Sequence, residues 1–223
     1  MTTPEDIQRE AFGIIDAQRG FMPAEEGLRL QTQGFGELPV PEGEYIVEPI
    51  NNLLGWFAAR GAEVFTTQDW HPKVTAHFSD NPNFTTTWPV HCVDGTLGAE
   101  IHPQIALPTT RERFIKGFDE LERGEDDTSY SGHFAIDPVL GLSLPEWLHR
   151  HNVANVYLAG LALDYCVQAT AVDLKVTDGF DVTVITDATR GISDQTSQAA
   201  LTKFRELGIK TITSEQLMPD RTA

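Results

Sequence analysis

The sequence predicts a single-domain, three-layer α/β/α fold, built on a mainly parallel sheet of about six strands and spanning residues 1–223. Three observations predict it. Apolar runs of strand length alternate along the chain with segments of helical periodicity. The runs are continuous rather than alternately apolar and polar, as expected of strands covered on both faces. A length of 223 residues suits one α/β domain, and no repeat, low-complexity tract or linker divides it.

Taken in order, AFGIIDAQ (11–18) reads as a buried strand closed by Asp16. EYIVEPINNLLGWFAARG (44–61) places Ile50, Leu53, Leu54, Phe57 and Ala58 at helical spacing, and Gly61 supplies a stop. AEVFTTQD (62–69) is the next strand. A long Pro-rich loop runs from 70 to 108, and RFIKG (113–117) is a strand ending at Lys116. ELERGEDDTSYSG (120–132) is an acidic, turn-rich loop. SLPEWLHRHN (143–152) is a short helix with Ser143 as cap and Pro145 in the first turn. NVYLAG (155–160) is a strand. DYCVQATAVDLKVTDG (164–179) is a helix capped by Asp164 and stopped by Gly179. DVTVITDA (181–188) is a strand. SDQTSQAALTKFRELG (193–208) is a helix capped by Ser193 or Asp194 and stopped by Gly208. KTITS (210–214) is a last short strand. In such sheets ligands bind beyond the carboxyl ends of the strands. That topology brings Asp16, Asp69, Lys116 and the residues after Gly160 to one rim.

A formal charge of −17 and a pI near 4.6 argue against nucleic acid or an anionic membrane as partner. Two cysteines, Cys92 and Cys166, with no C-x-x-C spacing, fit a reducing compartment. The N-terminus lacks a basic region followed by an apolar core, and no apolar run approaches the ~20 residues of a membrane span. The expected location is cytoplasmic.

Cys166 follows a strand at the opening of a helix. Free amides and the positive end of the helix dipole favour a thiolate there, and the same amides can hold an oxyanion. A small buried core residue is the plainer reading of any cysteine. Asp16 and Lys116 at neighbouring strand ends point instead to a nucleophile with a proton acceptor and a steadying cation. Asp69 and His71 are two apart, so at a strand end they face the same way. His77 and His91 come from the following loop. One carboxylate and up to three imidazoles suit one divalent transition metal ion, with Zn, Fe and Mn all open. By spacing alone, a scatter of surface histidines is the alternative. His102, His133, His149 and His151 fit no ligand spacing and read as structural.

Together these stretches resemble the nicotinamidases, within the isochorismatase-like cysteine hydrolases. IIDAQRGFMP, TTQDWHP…HF, TWPVHCVDGTLGAEIHP, FIKGFD, SYSGHF and GLALDYCVQATAVD carry the resemblance across nearly the whole chain. It implies a catalytic triad of Asp16, Lys116 and Cys166, and metal ligands Asp69, His71 and His91, with His77 a fourth in some members. It implies a cis peptide before Ala162, with the amides of Ala162 and Cys166 as oxyanion hole. Phe21, Trp88, Tyr130 and Tyr165 match positions around a pyridine ring. The implied activity is hydrolysis of a small amide, nicotinamide, to nicotinic acid and ammonia through a thioester, a step of NAD salvage. The metal would hold the ring nitrogen. Leu163 departs from the small or hydroxyl residue usual before Asp-Tyr-Cys, which would reshape the pocket edge. The acidic stretch 120–127 is longer than in compact members and reads as a solvated loop.

Rival readings are a cysteine hydrolase of another small amide or carbamoyl compound, and a non-catalytic ligand-binding protein on the same fold. A vinyl-ether hydrolase would not need Cys166, and a thiol redox protein lacks its C-x-x-C. A homo-oligomer is compatible with the sequence.

Overall fold

In the computed structural model, which describes residues 9–24, 33–118 and 130–219, every strand is laid against its neighbours in parallel. The strands are β1 (Arg9–Ile15), β2 (Glu63–Asp69), β3 (Glu112–Lys116), β4 (Val153–Leu161), β5 (Asp181–Arg190) and β6 (Lys210–Ile212). Their order across the sheet is β3-β2-β1-β4-β5-β6. The chain therefore starts in the middle, steps outward through β2 to β3, then crosses back to lay β4 on the other side of β1. The order reverses between β1 and β4, and a crevice opens at such a point beyond the strand ends.

Alternation along β1 builds two cores. Phe12 and Ile14 face α1 (Val47–Ala59), where Ile50, Leu53 and Phe57 are fully buried. Ala11 and Ile15 face the opposite side, covered by α2 (Leu144–Arg150), α3 (Cys166–Val176) and α4 (Asp194–Glu206) through Trp147, Leu148, Val167, Leu174 and Phe204. Each such side chain contributes about 1.5–3 kcal/mol by leaving water. No helix among the described residues is long and apolar enough to cross a membrane.

The sheet and its two covering layers match the expected three-layer fold, and the element ends shift for local reasons. Residues 43–46 form a 3-10 turn that leads into α1. Ser143 caps α2 in a capping box with Glu146, and Ser193 caps α4 by accepting from the Thr196 amide. Gly61, Gly179 and Gly208 all have positive φ, as stops do. The last strand ends at Ile212, because Thr213 caps a short helix, α5 (Ser214–Leu217). The long 70–108 loop is held by single bridges, His71 to Val93 and Phe78 to Trp88, and by a 3-10 turn at 97–99. The acidic stretch 120–127 lies outside the described residues.

One glycine sets how closely β1 and β4 approach at the crevice. Gly160 has φ +116, and a Cβ there would fall well inside contact distance of the Ile15 carbonyl. It pairs with Ile15 at the last rung of β1, where the β4–β5 register also shifts. Gly160→Ala is expected to cost about 4 kcal/mol or more, since neither φ nor backbone spacing can adapt cheaply. The urea midpoint, or loss of soluble protein, measures it.

Candidate active site and metal centre

Four strand tips deliver the chemistry. β1 ends at Ile15 and the chain leaves the sheet at once, with Asp16 in the left-handed region at φ 44. That conformation is uncommon outside glycine and marks sites where geometry outweighs local comfort. Asp69 ends β2 and pairs in register with Lys116, which ends β3. Cys166 opens α3, just beyond β4, and the Leu161–Ala162 peptide between them is cis.

Lys116 is the meeting point. Its side chain is 1% exposed, and its Nζ lies 2.8 Å from Asp16 Oδ2 and 3.5 Å from Cys166 Sγ. It also donates to Asp69 Oδ1. The Thr67 hydroxyl donates to Asp16 Oδ1 at 2.7 Å. The acid atoms of Asp16, Asp69 and Cys166 all lie within 4.8 Å of one another.

Burial and the shared ammonium set the protonation states. Burial would lower Lys116, but Asp16, Asp69 and Cys166 together raise it well above the ordinary lysine value. It stays charged. Burial raises Asp16, Lys116 opposes it, and the neighbouring Asp69 charge helps keep it above the ordinary carboxylate value. Burial also pushes Asp69 up, yet Lys116 and the adjacent His71 outweigh it and hold Asp69 well below that value. The Cys166 thiol is pushed up by burial more than Lys116 pulls it down. A neutral thiol therefore rests beside a carboxylate of raised basicity, and the two can exchange a proton without changing the charge of the cluster.

The three histidines of the loop converge next to this cluster. One ring nitrogen from each of His71, His77 and His91 lies within 4.8 Å of the others, and all three residues are buried. His71 Nδ1 meets the Gly117 carbonyl at 3.2 Å and His91 Nδ1 the Pro89 carbonyl at 2.7 Å. A carbonyl only accepts, so each Nδ1 carries a proton, and in the neutral ring Nε2 is then the nitrogen able to bind a metal, as in ligand histidines oriented by a backbone oxygen. His71 Nε2 is 3.6 Å from Asp69 Oδ2. Burial, then the neighbouring His71, lowers His91 to about 4, so it is a neutral imidazole at pH 7. Three imidazoles and an adjacent carboxylate suit a divalent metal ion.

A cavity joins the two centres, with about 490 Å³ not filled by protein atoms, mouth included. Cys166, Asp69, His77 and His91 line it together with Phe21, Trp88, Tyr130 and Tyr165. Trp88 Nε1 donates to Tyr130 Oη at 2.9 Å, and the Tyr165 ring lies 5.5 Å from Trp88 and 5.6 Å from Tyr130. Among the described residues, the amides of Ala162 and Cys166 have no backbone acceptor.

Residues 10–216 match the Isochorismatase domain. The chain belongs to the isochorismatase family. Relatives include the nicotinamidase of Escherichia coli, 34% identical over 74% of this chain and 80% of that protein. The nicotinamidase/pyrazinamidase of Mycobacterium tuberculosis is 33% identical over 92% of this chain and 98% of its own length. Among solved structures, the pyrazinamidase of Pyrococcus horikoshii in complex with zinc superimposes with a TM-score of 0.74. It is 34% identical and covers 92% of this chain and 99% of that one.

Of the residues singled out from the sequence, Phe21, Asp69, His77, Trp88, His91, Tyr130, Ala162, Tyr165 and Cys166 line the cavity, Asp16, Lys116 and His71 lie against them, and two local expectations fail. Asp164 does not cap α3: Tyr165 occupies the cap position without a side-chain bond. Both Asp164 oxygens instead accept from the Ile192 amide, at 3.1 and 3.0 Å, and the Thr196 hydroxyl donates to Oδ2. Leu163 packs in the core facing α3 and is absent from the cavity wall, so it does not reshape the pocket edge. His102, His133, His149 and His151 lie outside the cluster. His133 pairs with Asp178 at 2.7 Å, and His149 stacks on Phe180. Cys92 is buried, with Sγ 3.5 Å from the Gly98 carbonyl.

The sequence reading passes over Leu38, Val40 and Ile192, which complete the apolar wall. It also passes over Gln18, the side chain that fixes Asp69. Gln18 Oε1 accepts from the Asp69 amide, and Nε2 donates to the carbonyls of Asp69 and Ala99, all at 2.8 Å. Where the β1 backbone turns away at Asp16, a side-chain amide continues its ladder along β2. Full burial is what marks this glutamine out, and burial is visible only once the chain is folded. Gln18→Met keeps volume and takes the Gln18 partner from the Asp69 amide and carbonyl, at about 1–3 kcal/mol each, while the Ala99 carbonyl still accepts from Gln68. A destabilisation of about 2–5 kcal/mol in urea is expected.

Proposed function

We propose that this chain is a metal-assisted cysteine amidohydrolase that converts nicotinamide to nicotinic acid and ammonia. The observation that carries the reading is Lys116, whose ammonium reaches Asp16, Asp69 and Cys166, the last two lining one cavity with His77 and His91. The relatives named above point to the same substrate class, a small aromatic amide.

His71, His77, His91 and Asp69 would hold the ion. When bound, it supplies a Lewis-acid seat that can take a ring nitrogen and orient the amide. Zinc, iron and manganese all suit these donors.

The chain's own residues do the bond-breaking. Asp16 takes the proton of Cys166, and Lys116 keeps the negative charge that appears on sulfur in contact with an ammonium. The thiolate attacks the carboxamide carbon, and the amides of Ala162 and Cys166 receive the oxyanion. Asp16 returns its proton to nitrogen, ammonia leaves, and a thioester remains on Cys166. Water, deprotonated by Asp16, then attacks the thioester, and Cys166 leaves as the thiol. The aromatic walls of Phe21 and Trp88 flank the ring and exclude solvent.

Ammonia release from nicotinamide by the purified chain tests the reading. Cys166→Ala is expected to lower kcat on the order of 10⁴-fold or more, with fold and zinc content unchanged. Near-wild-type turnover would refute the nucleophile. The acid limb of kcat/KM is expected above the ordinary carboxylate value of 3.8, because Asp16 must be ionised and burial raises it. Activity should fall as pH falls through that raised value. A limb at or below 3.8 would remove Asp16 as the base. His71→Ala should lose zinc on dialysis, and full retention would remove His71 from the ligand set.

A further inference from the structure

We infer that Glu37 is a positioning residue for the histidine centre, its carboxylate tying one wall of the cavity to the peptide that links two of the three histidines. The inference rests on the metal reading above. The wall is the segment 36–40, which runs beside residues 20–22. The amides of Gly36, Leu38 and Val40 donate to the carbonyls of Met22, Gly20 and Phe21, each at 2.9 Å. Leu38 and Val40 thereby reach the cavity next to Phe21.

Glu37, just before Leu38, reaches the histidine side. Its Oε2 accepts from the Cys92 amide at 2.8 Å. Cys92 follows His91 in the chain, and its carbonyl accepts from the His71 amide at 3.1 Å. The His71 carbonyl in turn accepts from the Asp94 amide at 2.9 Å. One residue therefore carries His91 by a covalent bond and His71 by a hydrogen bond, and it sits in the left-handed region at φ 45. That conformation is disfavoured for cysteine and persists only where its surroundings fix it. A carboxylate on its amide is a charge-assisted bond, stronger than a neutral one.

Two glycines show that the seat is built for this side chain. A Cβ on Gly98 would collide with Oε1, Cδ and Oε2 of Glu37, and one on Gly20 would come within 2.9 Å of Oε2. Neither glycine has a φ that other residues avoid. At Gly98 the carboxylate fills the space a side chain would take; at Gly20 it shares that space with the Cys92 sulfur, also 2.9 Å away.

Zinc affinity, measured by competition with a chromophoric chelator, tests the inference without relying on turnover. Glu37→Ala is expected to weaken zinc binding about tenfold or more, the usual effect of removing an outer partner of a ligand. Glu37→Gln keeps an acceptor oxygen at the same reach and should restore affinity to within about threefold of wild type, as the neutral bond is the weaker. Gly98→Ala, which displaces the carboxylate, should weaken zinc like Glu37→Ala. It should add little in the Glu37→Ala background, since both act through one contact. If Glu37→Ala does not fold, Gly98→Ala carries the same test. Unchanged zinc affinity in a folded Glu37→Ala or Gly98→Ala chain overturns the inference, as does a folded Glu37→Gln no better than Glu37→Ala. Failure of the wild-type chain to take up zinc would instead end the metal reading on which it stands.

Discussion

A single buried ammonium organises the site. Lys116 is out of water, and an uncompensated charge there would be prohibitive. It is tolerated because Asp16 and Asp69 meet it from either side, with the Cys166 sulfur also in reach. Lys116 and those three partners come from four separate strand tips, so the ion cluster forms only when the sheet is complete and in register. Ile15 opposite Thr67 and Gly160, and Asp69 opposite Lys116, are the rungs that bring the tips level. The departures from ideal geometry sit at the same height: the left-handed Asp16, the tight Gly160 and the cis peptide at Ala162. Packing of the two cores holds those features in place, and the site depends on them.

One cation between two carboxylates leaves the cluster one charge short of balance. The imbalance splits the pair: Asp69, touched by Lys116 and the histidines, remains ionised, while Asp16 is pushed toward protonation. Two chemically identical groups thus take different parts, one holding charge and one able to move a proton. The surrounding chain carries a formal charge of −17. On the proposed reading this does not attract a neutral amide but does repel an anionic acid product, so the field favours release over re-entry.

The sequence reveals the fold and the reacting groups more fully than the parts that hold them. Continuous apolar runs such as FGII identify buried parallel strands, and Ser143, Ser193, Gly61, Gly179 and Gly208 mark helix ends by local chemistry alone. Residues that react, such as Cys166 and the D-x-H pair, carry types and spacings that are themselves informative. Asp164 misleads because an aspartate before a helix is usually its cap. Here a loop from a distant part of the chain, at Ile192, competes for the same oxygens and wins. Gln18, Glu37 and the wall residues Leu38, Val40 and Ile192 have no local signature. Their roles exist only after segments tens of residues apart have been brought together.

Asp69 shows why the two halves of the site cannot be understood separately. One of its oxygens meets Lys116 and the other faces His71 Nε2 at 3.6 Å. A cation held by the histidines would draw on the same carboxylate that helps neutralise Lys116. The ammonium would then lean more on Asp16 and Cys166, and both would be easier to ionise. Loading the histidine centre would therefore prime the thiol through a shared carboxylate, with no movement of the backbone. Gln18 clamps the Asp69 backbone on one side, and the Glu37–Cys92 link steadies the histidines on the other. Between them they fix the distance over which that electrostatic coupling acts.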